Sequence, residues 1–280
     1  MRILLVEDNP VNQTVALRIL EKKGHRVSLA RDGSEALKEL EKKEYHGFDL
    51  ILMDVQMPVM DGLTATKIIR DKQAPLGLHS PIVGLTAHAS AADRERCHSA
   101  GMDGYLSKPF DPSELHNLID RMTRDQGAAS TLAVSPAPQE CPAADADQTN
   151  IDRANTRADN TGDGPTKEMI LRRFDDDESL FNEALDIFVQ QYPAQLSAIR
   201  SAIESGNGPD LERAAHGLKG SLGIFGAVDA FEIASRMEIM GSSGSLDAAA
   251  AYWVKIKSAT VLLHTRLENL RVEMFTEATQ

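Results

Sequence analysis

Short apolar runs alternate with longer amphipathic stretches through the first half of the chain. The runs fall at residues 2–6 (RILLV), 26–30 (RVSLA), 49–54 (DLILMD), 81–86 (PIVGLT) and 104–107 (GYLS). Between them lie NQTVALRILEKKG, DGSEALKELEKKE, LTATKIIRDK and SAADRERCHSAG, which read as helices. A fifth, DPSELHNLIDRMTRD, follows the last run, with Asp111 placed to cap it and Pro112 in its first turn. ILLV and LILM are apolar throughout, as strands covered on both faces of a parallel sheet must be. Five such βα units predict an α/β domain over residues 1–124, built on a doubly wound five-stranded parallel sheet.

The pattern then lapses. Residues 126–165 hold no aromatic side chain and no hydrophobic period, only Ala, Pro, Asp, Thr and Asn in quantity. Such a segment cannot bury enough apolar surface to offset chain entropy, so residues 125–165 are expected to be a flexible linker. A coil of that length would hold its ends roughly 35 Å apart. Helical spacing resumes in residues 166–280. ESLFNEALDIFVQQYPAQLSAIRSAIES places Leu180, Ala184, Ile187 and Phe188 on one face, then Leu196, Ile199 and Ile203. Pro193 is expected to kink or divide this helix. A second helix is expected from about Pro209 to Phe225, VDAFEIASRMEIM makes a third, and Tyr252, Ile256, Ala259, Leu263 and Leu270 line a fourth. Short connections between striped helices predict a second, all-α domain, an antiparallel four-helix bundle.

Composition narrows the chemistry. A net charge of −12 with no Lys/Arg cluster excludes a nucleic-acid surface. No apolar run approaches the roughly 20 residues needed to cross a bilayer. The run at the N-terminus stops at Glu7-Asp8, which speaks against a signal peptide. Cys97 and Cys141 are too few for a disulfide framework, and a cytoplasmic location is expected.

Ligands of open α/β sheets sit beyond the C-terminal ends of the strands. Those ends carry Glu7 and Asp8 after the first strand, Asp54 on the third, Thr86 on the fourth and Lys108-Pro109 after the fifth. Three carboxylates on one rim repel unless a cation joins them, and hard oxygen ligands suit Mg2+. A carboxylate beside Mg2+ and a lysine can attack a phosphoryl group, since both cations neutralise charge on the transferring oxygens. Thr86 and Lys108 would then hold the resulting phosphate.

The second candidate centre is AAHGLKGSLGIFGA, residues 214–227. Leu211, Ala215, Leu218 and Leu222 form its core face, so Glu212, His216, Lys219, Gly220 and Gly223 lie beside or beyond it. His216 is therefore expected to be exposed. Imidazole titrates near 6.5, so it offers a nitrogen lone pair at neutral pH and can attack phosphorus. Lys219, one turn on, would meet the incoming phosphate. Each glycine within a helix costs about 1 kcal/mol relative to alanine, and Gly220 and Gly223 are read as clearance for a docking protein. Gly217 faces elsewhere, and Gly226 fits a C-terminal cap. His25, His46, His79, His98, His116 and His264 are read as ordinary surface or half-buried residues; His98 beside Cys97 lacks the second pair that a metal site needs.

LLVEDNPVNQ, LILMDVQMPVMDG, PIVGLTA and GMDGYLSKPF together resemble the receiver domain of two-component response regulators, from residue 2 to about 124. AHGLKGSLGIFGA resembles the motif of histidine-containing phosphotransfer (HPt) domains, over roughly 166–280, with Gly217 standing where that family commonly has a side chain such as threonine. The resemblance implies sheet order 2-1-3-4-5, Asp54 as phosphoacceptor, and Glu7, Asp8 and the Gln56 carbonyl arranging Mg2+ with it. It implies a cis peptide before Pro109 and a switch in which Thr86 and Tyr105 move inward on phosphorylation. Gln56 and His88 would line the pocket mouth and tune the life of the acyl phosphate.

A receiver followed by a phosphotransfer domain resembles the C-terminal part of hybrid sensor kinases, or a free-standing relay protein. The expected donor is a sensor histidine kinase and the expected acceptor a downstream response-regulator receiver, since this chain shows no ATP-binding kinase core. Neither direct membrane insertion nor nucleic-acid binding is expected, and the segment fits the cytoplasmic end of a membrane-bound kinase. The two domains could also dock on each other, with the first helix, around Val11 and Val15, as the seat. Two other functions remain open: a phosphate sink, and an interaction module switched by phosphorylation in which His216 does not relay.

Overall fold

The computed structural model describes residues 1–86, 91–128 and 166–277; His88, Cys141 and most of the expected linker lie outside them. Five parallel strands, β1 (Arg2–Val6), β2 (Arg26–Ala30), β3 (Leu50–Asp54), β4 (Ile82–Thr86) and β5 (Gly104–Ser107), are ordered β2-β1-β3-β4-β5. Helices α1 (Pro10–Lys22), α2 (Gly33–Glu41), α3 (Gly62–Gln73), α4 (Ala91–Ser99) and α5 (Pro112–Ala128) connect or follow them. Helix α5 thus runs past residue 125, where the linker was expected to begin.

Alternation along the central strands divides the core in two. Ile3, Leu5, Leu50, Leu52, Val83 and Leu85 face one way, toward Val11, Val15 and Ile19 of α1 and Leu115, Leu118 and Ile119 of α5. Leu4, Val6, Ile51, Met53 and Ile82 face the other, toward Ala36, Leu40, Ala65 and Ile69. The register pairs Val6 with Met53 and Asp54 with Leu85. These strands therefore stop at one level, and the residues that follow them share a rim.

The second domain holds α6 (Lys167–Arg172), α7 (Glu178–Glu204), α8 (Gly208–Ile224), α9 (Val228–Ser243) and α10 (Ala249–Glu277). Each of the four long helices packs on two others, α7 on α8, α8 on α9, α9 on α10 and α10 on α7, closing an antiparallel four-helix bundle. Phe174, Phe181, Phe188 and Phe225 cluster in it with ring centroids 5.3 to 6.3 Å apart. Of the two expectations for Pro193, a kink or a division, the second does not hold: one helix runs from Glu178 to Glu204. Pro193 itself lies exposed on the surface of the helix. Phe188, Leu196 and Ile199, buried on either side, hold both halves to the core. Gly226 takes φ +67° just past α8, where the Ala227 N–H donates to Leu222 O, so it caps the helix as the sequence suggests.

The apolar core does not end at the first domain. It continues from the sheet through α1 into the bundle, because α1 packs against α7 and α8.

Candidate functional site

Two local devices build the carboxylate rim. Asn9 caps α1 by accepting from the N–H groups of Val11 and Asn12, which turns the chain sharply after Glu7-Asp8. Asp61 caps α3 in the same way, and the next residue must be glycine, since a Cβ at Gly62 would overlap the Asp54 carbonyl oxygen. Carboxylate oxygens of Glu7, Asp8 and Asp54 then lie within 4.8 Å of one another. Lys108 Nζ donates to Glu7 Oε2 at 2.7 Å and to Asp54 Oδ2 at 2.6 Å, following the cis Lys108–Pro109 peptide. Asn12 Nδ2 donates to Glu7 Oε1 at 2.9 Å, and the Gln56 N–H donates to Asp54 Oδ1 at 3.1 Å.

The electrostatics follow from burial. Glu7 and Asp54 are 2% and 1% exposed. Burial, with Asp54 beside it, pushes the Glu7 carboxyl up against the pull of Lys108. Burial and then Glu7 push Asp8 up. For Lys108, burial works against the charge, but Asp54 and Glu7 together outweigh it and hold the ammonium above the ordinary lysine value. One lysine against three carboxylates leaves an excess of negative charge, and the donor set is all hard oxygen. The residues present fit Mg2+.

Thr86 ends β4, buried, on the same rim. Tyr105 is 38% exposed, its ring lying 5.0 Å from the Arg94 guanidinium, and so points outward in this structure. The Gln56 side chain is exposed at the mouth of a cleft of about 630 Å³ that Asp8 and His216 also line.

His216 departs from expectation. Its side chain is only 15% exposed, because Glu238 of α9 covers one edge and the first domain approaches the other. Glu238 Oε1 lies 2.7 Å from Nδ1. Lys219 departs further: it is 1% exposed and donates to the other Glu238 oxygen rather than facing the rim. A buried ammonium needs a fixed counter-charge, and Glu238 is the carboxylate within reach. Burial alone would raise the Glu238 carboxyl, yet the His216 hydrogen bond and the Lys219 charge bring it down to about 2. Sequence reasoning missed Glu238. A signal was there, since Ala230, Ala234, Met237 and Gly241 mark the inner face of α9 and Glu238 is an acid on that face.

Asp8 and His216 border a narrow gap together with Glu7, Lys108, Pro109 and Gly220. Asn9 Nδ2 donates across it to Gly217 O at 2.8 Å and to Ser221 Oγ at 3.0 Å. A Cβ at Gly220 would stand 3.1 Å from the amide nitrogens of both Asn9 and Asn12, and one at Gly223 3.6 Å from Pro109 Cβ. Arg18 pairs with Glu183 at 2.9 Å and Lys22 with Asp175 at 2.7 Å along α1. Val11 and Val15 are fully buried within the shared core; the polar contacts come from Asn9, Arg18 and Lys22 instead.

Comparison with known proteins assigns both halves. The family model of the response regulator receiver domain matches residues 3–120, and that of the Hpt domain matches residues 183–273. The chain is a receiver domain followed by an Hpt domain. The chain is 43% identical over 121 residues to hybrid signal transduction histidine kinase M of Dictyostelium discoideum, covering 43% of this chain and 5% of that protein. Histidine kinase 1 of Arabidopsis thaliana is 37% identical over 163 residues, covering 48% of this chain and 14% of that one. Escherichia coli BarA, a signal transduction histidine-protein kinase, is 39% identical over 132 residues, covering 47% and 14%. This chain thus spans a small part of the length of these relatives. Among solved structures, the receiver domain of the Pseudomonas aeruginosa sensor histidine kinase PA1611, with a coordinated magnesium ion, is 46% identical over 43% of this chain and 95% of that one, with a TM-score of 0.39. The co-crystal structure of Saccharomyces cerevisiae Ypd1 with the Ssk1 receiver domain is 34% identical over 47% of this chain and 92% of that one, with a TM-score of 0.40. Receiver and Hpt domains in one chain are the parts of a phosphorelay. Among the described residues no helix is long and apolar enough to cross a membrane.

Proposed function

We propose that Asp54 of the receiver accepts a phosphoryl group from the histidine of a sensor kinase, and that His216 of the Hpt domain exchanges it with a receiver aspartate. The observation that carries this reading is the placement of Asp8 and His216 on one gap, with Glu7, Asp54 and Lys108 behind Asp8. Glu7, Asp8 and Asp54 would hold Mg2+, which when bound neutralises charge on the transferring oxygens. Lys108 is already bridged to Asp54 and would stay with the phosphate as it arrives, with Thr86 on its other side. Tyr105, outward here, would follow Thr86 inward.

His216 attacks through Nε2, since Nδ1 is committed to Glu238. The new N–P bond forms as the P–O bond to Asp54 breaks, and the electron pair of that bond returns to the Asp54 carboxylate. An acyl phosphate and a phosphoramidate are both high-energy links, so the exchange runs in either direction. Within one chain, docking through α1 would use the contacts of Asn9, Arg18 and Lys22 and gain from the raised local concentration that a shared chain imposes. A downstream receiver would use the same face of α8 once its own is released.

Labelling Asp54 with a radiolabelled small acyl phosphate and Mg2+ tests this. Label should pass to an acid-labile, base-stable adduct on His216, and His216→Gln should leave it on Asp54. Release of inorganic phosphate at equal rates from both proteins would mark a phosphate sink instead. Label confined to Asp54 in both, with a change in partner affinity, would mark a binding switch.

A further inference from the structure

We propose that Asp175 and Glu183 form an acidic selector on the Hpt domain: it admits receivers whose first helix carries two cations one turn apart, as Arg18 and Lys22 do here. This deepens the relay reading above and rests on it, since it names the receivers that His216 can serve. The middle of the interdomain contact discriminates little between partners. Val11 and Val15 are apolar, and apolar packing is non-directional. Asn9 reaches a backbone carbonyl, that of Gly217, and the small hydroxyl of Ser221. Opposite charges meet farther along α1. Arg18 Nη2 and Nε donate to Glu183 Oε2 at 2.9 and 3.1 Å. Lys22 Nζ donates to Asp175 O at 2.9 Å and lies 2.7 Å from Asp175 Oδ2. Arg18 and Lys22 are four residues apart and so share one face of α1. Their partners come from different elements, Glu183 from α7 and Asp175 from the turn between α6 and α7.

That turn holds its acids in place. Asp175 and Asp176 both take left-handed backbone, φ +56° and +55°, which residues with a side chain rarely adopt in succession. The Asp176 N–H donates to Leu171 O and the Asp177 N–H to Phe174 O, each at 3.0 Å, which closes the turn. Ile170 and Phe174, fully buried in the bundle, anchor it from below. Asp176, Asp177 and Glu178 follow Asp175 directly. Lys22 is held above the ordinary lysine value first by Asp175 and then by Asp177 and Asp176, so the whole acidic run acts on the basic end of α1. Asp175 lies ahead of residues 183–273, outside the region matched to the Hpt family.

Half-exposed ion pairs such as these add little to affinity, and salt screens them. Their effect falls on the choice of partner, because an opposite charge is steered in and a like charge is repelled. A receiver with carboxylates in place of Arg18 and Lys22 would set them against Glu183 and Asp175. The downstream acceptor must therefore present cations at both places, as the receiver of this chain does.

The test uses whole chains in pairs. The donor carries His216→Gln and is labelled on Asp54; the acceptor carries Asp54→Asn and keeps His216. Donors with Arg18 or with Arg18→Glu are each offered to acceptors with Glu183 or with Glu183→Arg. Initial transfer rates give each acceptor a preference between the two donors, and the quotient of the preferences cancels whatever each chain's own docking contributes. At low salt that quotient should be on the order of tenfold or more, each acceptor favouring the donor of opposite charge. At 1 M salt, where charges are screened within about 3 Å, it should fall toward one. Lys22→Glu should be penalised less by an Asp175→Asn acceptor, in which asparagine tolerates the left-handed backbone. A quotient near one at low salt overturns the proposal, as does one that salt leaves unchanged. Sedimentation of the same pairs without label separates the two readings. If they associate with the expected quotient but pass no label in any combination, the relay reading fails while the selector stands.

Discussion

Leucine in place of Gly220 pushes a side chain into the space between α8 and the loop that carries Asn9. A Cβ there already stands 3.1 Å from the Nδ2 atoms of Asn9 and Asn12, tighter than most Cβ contacts, and three more carbons cannot follow without moving the loop away. The Asn9 amide then loses its bonds to Gly217 O and Ser221 Oγ. At roughly 0.5–1.5 kcal/mol for each hydrogen bond, docking weakens by about 1–3 kcal/mol. That is about 5- to 140-fold in the docking constant. Helix α8 itself does not suffer, since leucine is a better helix former than glycine by most of 1 kcal/mol. Asn9→Ser removes the same two bonds from the other side and leaves an N-cap on α1. The assay is the initial rate at which label leaves Asp54 for His216 within one chain, with ellipticity as the check on folding. Both single variants should slow transfer, and the double variant should be no slower than the slower single, because one contact cannot be lost twice. Additive losses, or a parental rate in folded Gly220→Leu, would refute the assignment of Gly220 as clearance at this contact.

Lys108→Met should destabilise the chain by about 3–5 kcal/mol, since it leaves Glu7 and Asp54 facing each other without a buried counter-charge; the fall in melting temperature should shrink on adding Mg2+, and a fall that Mg2+ leaves unchanged would count against the carboxylate trio as its site. The Glu238 carboxyl lies at about 2, below its ordinary 4.5, so the stability that it contributes is fully present above about pH 4.5 and is lost as pH falls toward 2. That contribution is on the order of 3 kcal/mol, and urea denaturation of the parent and Glu238→Gln between pH 6 and 2.5 should show the two curves converging on the acid side. Phe225→Ala removes a fully buried ring from contact with Phe174, Phe181 and Phe188, and denaturant unfolding should register a loss of about 3–5 kcal/mol; a loss under about 1 kcal/mol would place Phe225 outside the bundle core.

Local pattern carried most of the architecture. The five strands fall where short apolar runs stand, within one residue at their starts, and most plainly for β1, β3 and β4, because a strand buried on both faces admits almost no polar side chain. The carboxylate rim was legible for the same reason: in parallel sheets the residue after a strand lies on a known edge, so Glu7, Asp8 and Asp54 could be assembled from their order alone. Pro193 does not divide its helix, because Phe188, Leu196 and Ile199 bind it to a core on both sides of the proline.

What the chain alone determined are the properties that repeat along it or follow from neighbours: two domains of different class, the acidic rim, the histidine beside a row of glycines. What tertiary structure decided are the partners of single polar groups. His216 and Lys219 lie on one helix, and helical spacing places them beside the core face, but only the packing of α9 on α8 brings Glu238, 22 residues from His216, between them. Asn9 caps α1 through its nearest neighbours; that its amide also reaches Gly217 and Ser221, more than 200 residues away, depends on how α1 meets the bundle. Periodicity assigns a side chain to a face because backbone geometry repeats. It cannot assign a hydrogen-bond partner, because that depends on which distant backbone the folded chain sets opposite.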